Sequence, residues 1–286
     1  MNALQAILLG VLQGLTEFLP VSSSGHLAIF QTLLHIGQGV EDLFLLDILL
    51  HLGTLLSIFA VFYKDIFKMI VEFFLMVRDA FLNIPRMIRH EERVRVISTA
   101  YRKFVIMVII STIPTGIVGM IFKKTGLAES TAETLLIPGI FLLITAGLLF
   151  VADRTPEGEK TPKTATYLDA ILIGIGQGIA TLPGISRSGT TITSSLLCGF
   201  RKDFAVKYSF IVSMPAVLGA VVLEIGDAKG TKLEPAYFLG MAVAAVVGFF
   251  AIKVMLNVVR NKRYIFFSIY CLLAGLVAII GSFFIK

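Results

Sequence analysis

The sequence predicts an all-α polytopic membrane protein, an inverted-topology repeat with about six transmembrane helices and two re-entrant helical hairpins. Composition is the first reason: of 286 residues, 56% are hydrophobic and 15% are charged, with a mean hydropathy of +0.89, whereas soluble domains are about 25% charged. The second reason is an internal repeat, because residues 6–14 (AILLGVLQG) recur as residues 170–178 (AILIGIGQG) at an offset of 164. Repeated, interrupted hydrophobic segments are typical of inverted halves around a midplane site.

The first repeat is predicted to comprise residues 1–152. Pro20 and Gly25 interrupt its first hydrophobic stretch, and each arm is shorter than the about 20 residues that cross a bilayer, so residues 4–36 are predicted to form a re-entrant hairpin. No Lys or Arg precedes Lys64, which places this end on the non-cytoplasmic side. The other predicted elements are an amphipathic interfacial helix at residues 66–84 and spans at residues 43–63, 104–122 and 135–152.

A polar loop, residues 153–166, is predicted to be a cytoplasmic linker between the repeats. The second repeat, residues 167–286, begins with a hairpin at residues 167–200 that Pro183 and Gly184 interrupt. Each repeat has an odd number of spans, so the second half is predicted to have the opposite orientation. The spans of the second repeat are predicted at residues 207–225, 237–259 and 265–285.

The net charge of +6 would suggest a nucleic-acid partner in a soluble protein. Here the basic residues lie between hydrophobic spans, where an excess of Lys and Arg marks cytoplasmic loops. We therefore expect membrane lipids around the protein and no nucleic acid. Cys198 and Cys271 lie in apolar runs without metal-type spacing, so they predict neither a disulfide framework nor a metal site.

The first hairpin carries a polar motif in an otherwise apolar stretch, residues 13–26 (QGLTEFLPVSSSGH). Taking an ionisable side chain into hydrocarbon costs at least about 2.5–3.5 kcal/mol, so an intramembrane Glu or His is a functional candidate. Glu17 is predicted to bind a divalent cation, Mg²⁺ or Ca²⁺, with Gln13, which lies one turn earlier on the same helix face. Ser23 and His26 are candidates for the phosphoryl acceptor, with the carboxylate or the imidazole as base.

The second hairpin carries the matching motif, residues 183–191 (PGISRSGTT), in which Arg187 stands at the position equivalent to Ser23. An arginine with adjacent hydroxyls, on a glycine-bearing turn at a helix start, suits a phosphate. The guanidinium gives bidentate contacts, and the helix N-terminus adds backbone N–H groups. The predicted phosphate-binding residues are Ser186, Arg187, Ser188, Gly189, Thr190 and Thr191.

Four further residues are secondary candidates. Ser22 and Ser24 flank Ser23 in the first motif. Asp47 and His51 share one helix face at spacing i, i+4 and could support the site or a cation. A helix-end Asp and a hydrogen-bonded structural His are equally compatible with that spacing.

Together, the two motifs resemble the two signature motifs of the bacterial undecaprenyl-diphosphate phosphatase family, the one linked to bacitracin resistance. The resemblance covers the whole chain, including its length, repeat and span count. It implies hydrolysis of undecaprenyl diphosphate to its monophosphate and inorganic phosphate, which recycles the carrier lipid for cell-wall synthesis. It also implies a divalent cation and a site that opens to the outer face of the bacterial cytoplasmic (inner) membrane.

The resemblance also implies roles for single residues. Glu17 matches the motif acid, a metal ligand or base, and Ser23 matches the proposed nucleophile. His26 matches the motif histidine, and Arg187 matches the phosphate-binding arginine. Ser186 and Thr191 match supporting hydroxyls. Whether Ser23 or His26 receives the phosphoryl group, or water attacks directly, stays open at the level of sequence.

Two alternatives accompany this interpretation. Inverted repeats with broken helices are also the plan of secondary transporters, so a transporter or lipid flippase for a phosphorylated substrate is the competing hypothesis. The combined Glu, Ser, His and Arg set favours hydrolysis, because mere binding needs fewer such groups. A homodimer is compatible with the sequence.

Overall fold

The computed structural model describes residues 2–33, 40–132, 134–224, 234–260 and 263–284. Within these ranges the regular elements are α-helices, accompanied by an isolated bridge between Lys160 and Phe200. In chain order the helices are α1 (Ala3–Thr16), α2 (Ser23–Leu33), α3 (Val40–Ile88), α4 (Ala100–Lys124), α5 (Leu127–Ala132), α6 (Leu136–Arg154), α7 (Tyr167–Ile179), α8 (Arg187–Leu197), α9 (Lys202–Glu224), α10 (Pro235–Arg260) and α11 (Tyr264–Gly281).

Six of the described helices, α3, α4, α6, α9, α10 and α11, are long and apolar enough to cross a membrane, whereas α1 and α7 are apolar but shorter. Helices satisfy their own backbone hydrogen bonds, as a bilayer core requires. The predicted all-α, multi-pass fold is confirmed. The re-entrant placement of the hairpins and the limits of the repeats stay predictions, and parts of three predicted elements lie outside the described residues: 34–36, 225 and 285.

Helix α3 joins two elements that the sequence separates, the predicted span at residues 43–63 and the predicted interfacial helix at residues 66–84. Two helical segments meet at a kink inside α3, where Phe62 has non-helical backbone angles (φ −108°, ψ 20°). Just after this kink, Lys207 Nζ lies 3.0 Å from the carboxylate of Asp65. The kink lies beside the predicted boundary between residues 63 and 66, and the separation into a span and an interfacial helix stays a prediction.

The second half of α3 has an apolar side and an ionic side. Phe67 and Phe74 are among its exposed side chains. On the side facing α4, the guanidinium of Arg102 donates to Glu72 at 2.8 Å and to Asp79 at 2.7 Å. Such a division is what a helix at a membrane surface requires, although its depth in the bilayer stays a prediction.

The two halves of the chain pack in a crossed arrangement. Helix α1 lies along α10, and α7 lies along α4, so each short helix packs on a long helix of the other half. Glycines at equivalent repeat positions allow both approaches. A Cβ on Gly10 would lie 2.5 Å from the carbonyl oxygen of Gly240, and one on Gly174 would lie 2.3 Å from that of Ser111. The two copies of the repeated segment therefore use equivalent glycines to pack closely against a long helix of the other half.

Replacing Gly174 by Ala is expected to destabilise the protein, because the added methyl group would overlap the backbone of α4. Overpacking of this kind costs about 1–3 kcal/mol, and thermal unfolding in detergent, followed by circular dichroism, should show a lower midpoint. Gly116→Ala on α4 is the matched control, since among the described residues no atom beyond its chain neighbours and its own helix backbone lies within 4 Å of its Cβ position and alanine favours a helix. Equal unfolding midpoints for the two variants would contradict the close approach.

Candidate active site

Two turns between helices meet where the two halves of the chain pack together. The turn from α1 to α2 is the first tip, and the turn from α7 to α8 is the second tip. The hydroxyl of Ser188 donates to the carbonyl oxygen of Leu19 at 3.3 Å. A Cβ on Gly25 would lie only 3.1 Å from the Cα atom of Gly184, so the two backbones are in contact. The structure therefore brings the two sequence motifs to one place.

Glu17 is the centre of this junction, and its side chain is only 4% exposed. The Arg187 guanidinium donates through Nη2 to Oε1 of the carboxylate. The other oxygen, Oε2, accepts from Ser23 Oγ at 2.6 Å and from Gln13 Nε2 at 3.0 Å. A buried charge needs a partner and hydrogen bonds, and here a cation and two neutral donors supply them.

Arg187 is the first residue of α8, and the preceding turn fixes its place. Ser186 caps the helix, since its Oγ accepts from the backbone N–H of Gly189 at 3.1 Å, and its own N–H donates to Thr145 Oγ1 at 3.0 Å. The Arg187 side chain is 21% exposed. Because a guanidinium has five N–H donors, it can hold Glu17 and still offer donors to an anion. The helix N-terminus favours negative charge at the same point.

Ser23 faces Glu17 because the residue before it bends the chain sharply. Ser22 has φ +70°, a left-handed conformation that few non-glycine residues adopt. Its carbonyl oxygen accepts from the backbone N–H of His26 at 3.2 Å, and its Oγ accepts from that of Gly25 at 3.3 Å. These hydrogen bonds hold the strained turn from which α2 starts.

His26 makes its hydrogen bonds away from the Glu17 carboxylate. Its Nδ1 lies 2.8 Å from the carbonyl oxygen of Ser22, and its Nε2 lies 2.7 Å from the hydroxyl of Tyr270 on α11. The two rings stack, with centroids 5.6 Å apart and planes at 11°. Sequence reasoning missed Tyr270, because it lies in an apolar span where no motif marks it.

The two secondary candidates on α3 have different surroundings. His51 borders the site: its Nε2 lies 4.0 Å from Glu17 Oε2, and its side chain is 34% exposed. Its Nδ1 lies 2.8 Å from the carbonyl oxygen of Asp47. The Asp47 carboxylate accepts from Gln31 Nε2 of α2 at 3.5 Å. On the predicted shared face, the His51 imidazole therefore lies beside the Glu17 carboxylate, whereas Asp47 hydrogen-bonds to α2.

The other hydroxyls of the two motifs are placed less directly. Ser24 is exposed, and its Oγ lies 3.4 Å from that of Ser22. Thr191 Oγ1 donates within α8 to the carbonyl oxygen of Arg187 at 2.8 Å. Thr190 Oγ1 is buried and has no hydrogen-bond partner among the described residues. Since buried polar atoms are normally paired, Thr190 is the hydroxyl here with unused capacity.

The donor chemistry beside Glu17 fits a divalent cation. Mg²⁺ and Ca²⁺ take oxygen ligands, and Mg²⁺ is commonly held by one or two carboxylates together with substrate phosphates. Oε1 of Gln13 is buried and, within the described part of the chain, has no hydrogen-bond partner. In that same part, no group of three or more His, Cys, Asp and Glu side chains could hold a metal. The protein alone therefore offers a cation few ligands, and phosphate oxygens would have to complete the set.

Comparison with known proteins identifies the family. The model of a family described as bacitracin resistance protein BacA matches residues 6–277. The chain belongs to the BacA family. BacA relatives named undecaprenyl-diphosphatase include those of Alkaliphilus metalliredigens (strain QYMF), 43% identical over 287 residues, Desulfatibacillum aliphaticivorans, 41% over 288 residues, and Methanosphaera stadtmanae, 38% over 283 residues. Each alignment covers 99% of this chain and 99–100% of the relative, so the resemblance predicted from the two motifs is confirmed.

Removing one partner of the central ion pair of this BacA-family protein is expected to destabilise it more than removing both. Arg187→Met leaves the buried carboxylate of Glu17 without its cation, which costs about 3–5 kcal/mol. Adding Glu17→Gln should restore most of that loss, because the amide needs no counter-charge. The unfolding midpoints of the wild type, both single variants and the double variant measure the coupling. Additive effects of the two substitutions would show that the ion pair does not stabilise the junction.

Proposed function

We infer that this protein is an integral membrane phosphatase that hydrolyses undecaprenyl diphosphate to undecaprenyl phosphate and inorganic phosphate. Relatives that align over its whole length are named for this activity, and its family is named for bacitracin resistance. One observation carries the inference: Ser23 Oγ lies 2.6 Å from one oxygen of Glu17, whose other oxygen binds Arg187. A nucleophile, a base and a cation are thus joined in one network.

In the proposed reaction, Ser23 attacks the terminal phosphorus of the diphosphate. Glu17 Oε2 accepts the hydroxyl proton as the new oxygen–phosphorus bond forms. The bond to the bridging oxygen breaks, and undecaprenyl phosphate leaves. Water then attacks the phosphorus of the phosphoserine, and its protons stay on the inorganic phosphate that is released. The bond between the serine oxygen and phosphorus breaks as Glu17 returns its proton to that oxygen. Arg187 stabilises the charge of the phosphoryl group during both transfers.

Ser23 is favoured over the two alternatives that the sequence leaves open. Both ring nitrogens of His26 make hydrogen bonds, one to the Ser22 carbonyl and one to the Tyr270 hydroxyl. Accepting a phosphoryl group on either nitrogen would break one of these hydrogen bonds. Direct attack by water would leave the short contact between Ser23 and Glu17 without a chemical function. The 2.6 Å contact between Ser23 Oγ and Glu17 Oε2 supports a serine nucleophile activated by the carboxylate.

We propose that Gln13, together with Glu17 before it takes up the serine proton, holds a divalent cation, Mg²⁺ or Ca²⁺, with the phosphates of the substrate. When bound, such an ion would neutralise charge on the diphosphate. Oε1 of Gln13 and Oε1 of Gln177 both lack a hydrogen-bond partner among the described residues, but only the Gln13 side chain hydrogen-bonds to a carboxylate, that of Glu17, and this supports the assignment. Thr190, whose hydroxyl has no hydrogen-bond partner within the described ranges, and the N-terminus of α8 would contribute to phosphate binding from the other tip.

We propose that the protein resides in the bacterial cytoplasmic (inner) membrane with its site open to the outer face. The six candidate spans support a multi-pass protein, and the lack of Lys and Arg before Lys64 supports an outward first hairpin. Undecaprenyl phosphate released there would re-enter cell-wall synthesis as lipid carrier. A homodimer stays a prediction, and the junction of Glu17 with Arg187 is built within one chain.

Hydrolysis is favoured over the transporter or flippase hypothesis by the same network. A transport site needs to bind a phosphate and release it, which Arg187 and the helix N-terminus could do alone. The carboxylate of Glu17 in hydrogen-bond contact with Ser23 adds a base and a nucleophile that binding does not use. Flux measured beside phosphate release in reconstituted vesicles separates the two functions.

Substitutions in the network should abolish phosphate release from undecaprenyl diphosphate by protein in detergent with Mg²⁺. Glu17→Gln is expected to lower kcat by about 10²–10⁴-fold, the usual contribution of a general base, and Ser23→Ala by at least as much. Ser24→Ala is the matched control, because this exposed hydroxyl contacts Ser22 rather than the carboxylate. Full activity in Ser23→Ala with a folded protein would exclude the serine as nucleophile.

The cation assignment has its own test. Chelation should stop turnover, and Gln13→Ala should raise the Mg²⁺ concentration for half-maximal activity by roughly tenfold or more, as loss of a supporting group does at metal sites. Gln177→Ala is the matched control, because Gln177 holds the equivalent position in the second repeat and bonds to Thr115 at 3.1 Å. A Mg²⁺ requirement that is the same in both variants would remove Gln13 from the ligand set.

A further inference from the structure

The hydrogen bonds of His26 determine which ring nitrogen carries its proton. A carbonyl oxygen only accepts, so the 2.8 Å contact between Nδ1 and the Ser22 carbonyl places a proton on Nδ1. The neutral ring then has its lone pair at Nε2, and the Tyr270 hydroxyl, 2.7 Å away, donates to it. Tyr270 thereby favours the tautomer that can bind Ser22.

The acceptor of that proton belongs to the strained residue of the first tip. Ser22 has φ +70°, and its carbonyl oxygen accepts from both the ring and the backbone N–H of His26. A residue in a sparsely populated conformation persists only when surrounding contacts over-determine it. Ser23, which follows directly, owes its direction toward Glu17 to this turn.

Helix α11, which carries Tyr270, belongs to the second half of the chain and packs against α6 of the first half. Ser268 Oγ donates to the carbonyl oxygen of Ala146 on α6 at 2.7 Å. Next to Tyr270, the thiol of Cys271 lies 3.7 Å from the carbonyl oxygen of Pro20. Two consecutive residues of α11 therefore contact the first tip, one on each side of the serine turn.

We propose that Tyr270 is a positioning residue for the reaction: its hydroxyl sets the tautomer of His26, and His26 in turn holds the Ser22 turn that directs Ser23 at Glu17. This role rests on the proposed phosphatase function and adds a residue from the last helix. The chain of contacts runs from the Tyr270 hydroxyl to the His26 ring, to the Ser22 carbonyl, and ends at the Ser23 hydroxyl. Tyr270 itself does not touch the reacting atoms in this assignment.

Tyr270→Phe in the full-length protein tests the proposal, with phosphate release from undecaprenyl diphosphate as the assay. We expect kcat to fall about tenfold, the scale of one lost hydrogen bond, with KM changed by less than about twofold. Tyr264→Phe is the matched control on the same helix, because the buried hydroxyl of Tyr264 has no hydrogen-bond partner among the described residues. Equal kcat values in the two variants would overturn the role of Tyr270.

A second readout reports the tautomer without relying on turnover. In ¹⁵N spectra of the histidine rings, wild-type His26 should show a protonated Nδ1, and Tyr270→Phe should shift it toward a mixture of tautomers. The sequence has four histidines, so His26→Gln assigns the signal, and His51 is the internal control. Unchanged His26 shifts in Tyr270→Phe would overturn the proposal. Wild-type protein that releases no phosphate would overturn the proposed function, whereas an active wild type with fully active Tyr270→Phe overturns the positioning role alone.

Discussion

The ion pair between Glu17 and Arg187 is the contact on which the rest of this structure depends. Both groups come from apolar segments, where an isolated charge is costly, so each needs the other. They lie 170 positions apart in the chain, and they meet only if both helix-turn-helix tips reach the same place. The pair leaves the second carboxylate oxygen of Glu17 to Ser23, and in the proposed reaction it leaves further donors of Arg187 to a phosphate.

The helices around this pair are held by close approach and by hydroxyl groups rather than by apolar burial alone. In lipid, helices gain little from hiding hydrophobic surface, so small residues and interhelical hydrogen bonds dominate. Ser111 and Thr115 of α4 donate to the carbonyl oxygens of Ala170 and Gly174 on α7, the latter at 2.9 Å. On the other side of the molecule, Ser57 of α3 donates to α10 at 2.7 Å. These contacts keep the tips in register.

Much of this arrangement was predictable from sequence, for physical reasons that single residues illustrate. A span must be apolar to lie in a bilayer, so hydropathy predicted the helical class and the six candidate spans. Burying the charges of Glu17 and Arg187 separately is costly, so the sequence also predicted that the two side chains lie close together. Two contacts were not predictable. The ion pair between Asp65, just after the kink in α3, and Lys207 of α9 joins residues 142 positions apart. Tyr270 contacts His26 across 244 positions, and a tyrosine in a span has several ordinary roles.

The contact between the two tips also bears on how a duplicated segment could become an active centre. Glu17 and Arg187 do not occupy equivalent positions, because at the offset of 164 residue 17 corresponds to residue 181 and residue 187 to residue 23. One copy carries Glu17 where the other has Thr181, and one carries Arg187 where the other has Ser23. Each copy therefore supplies one of the two charges, so the acid and the cation of the junction come from different copies and neither copy could form the ion pair alone.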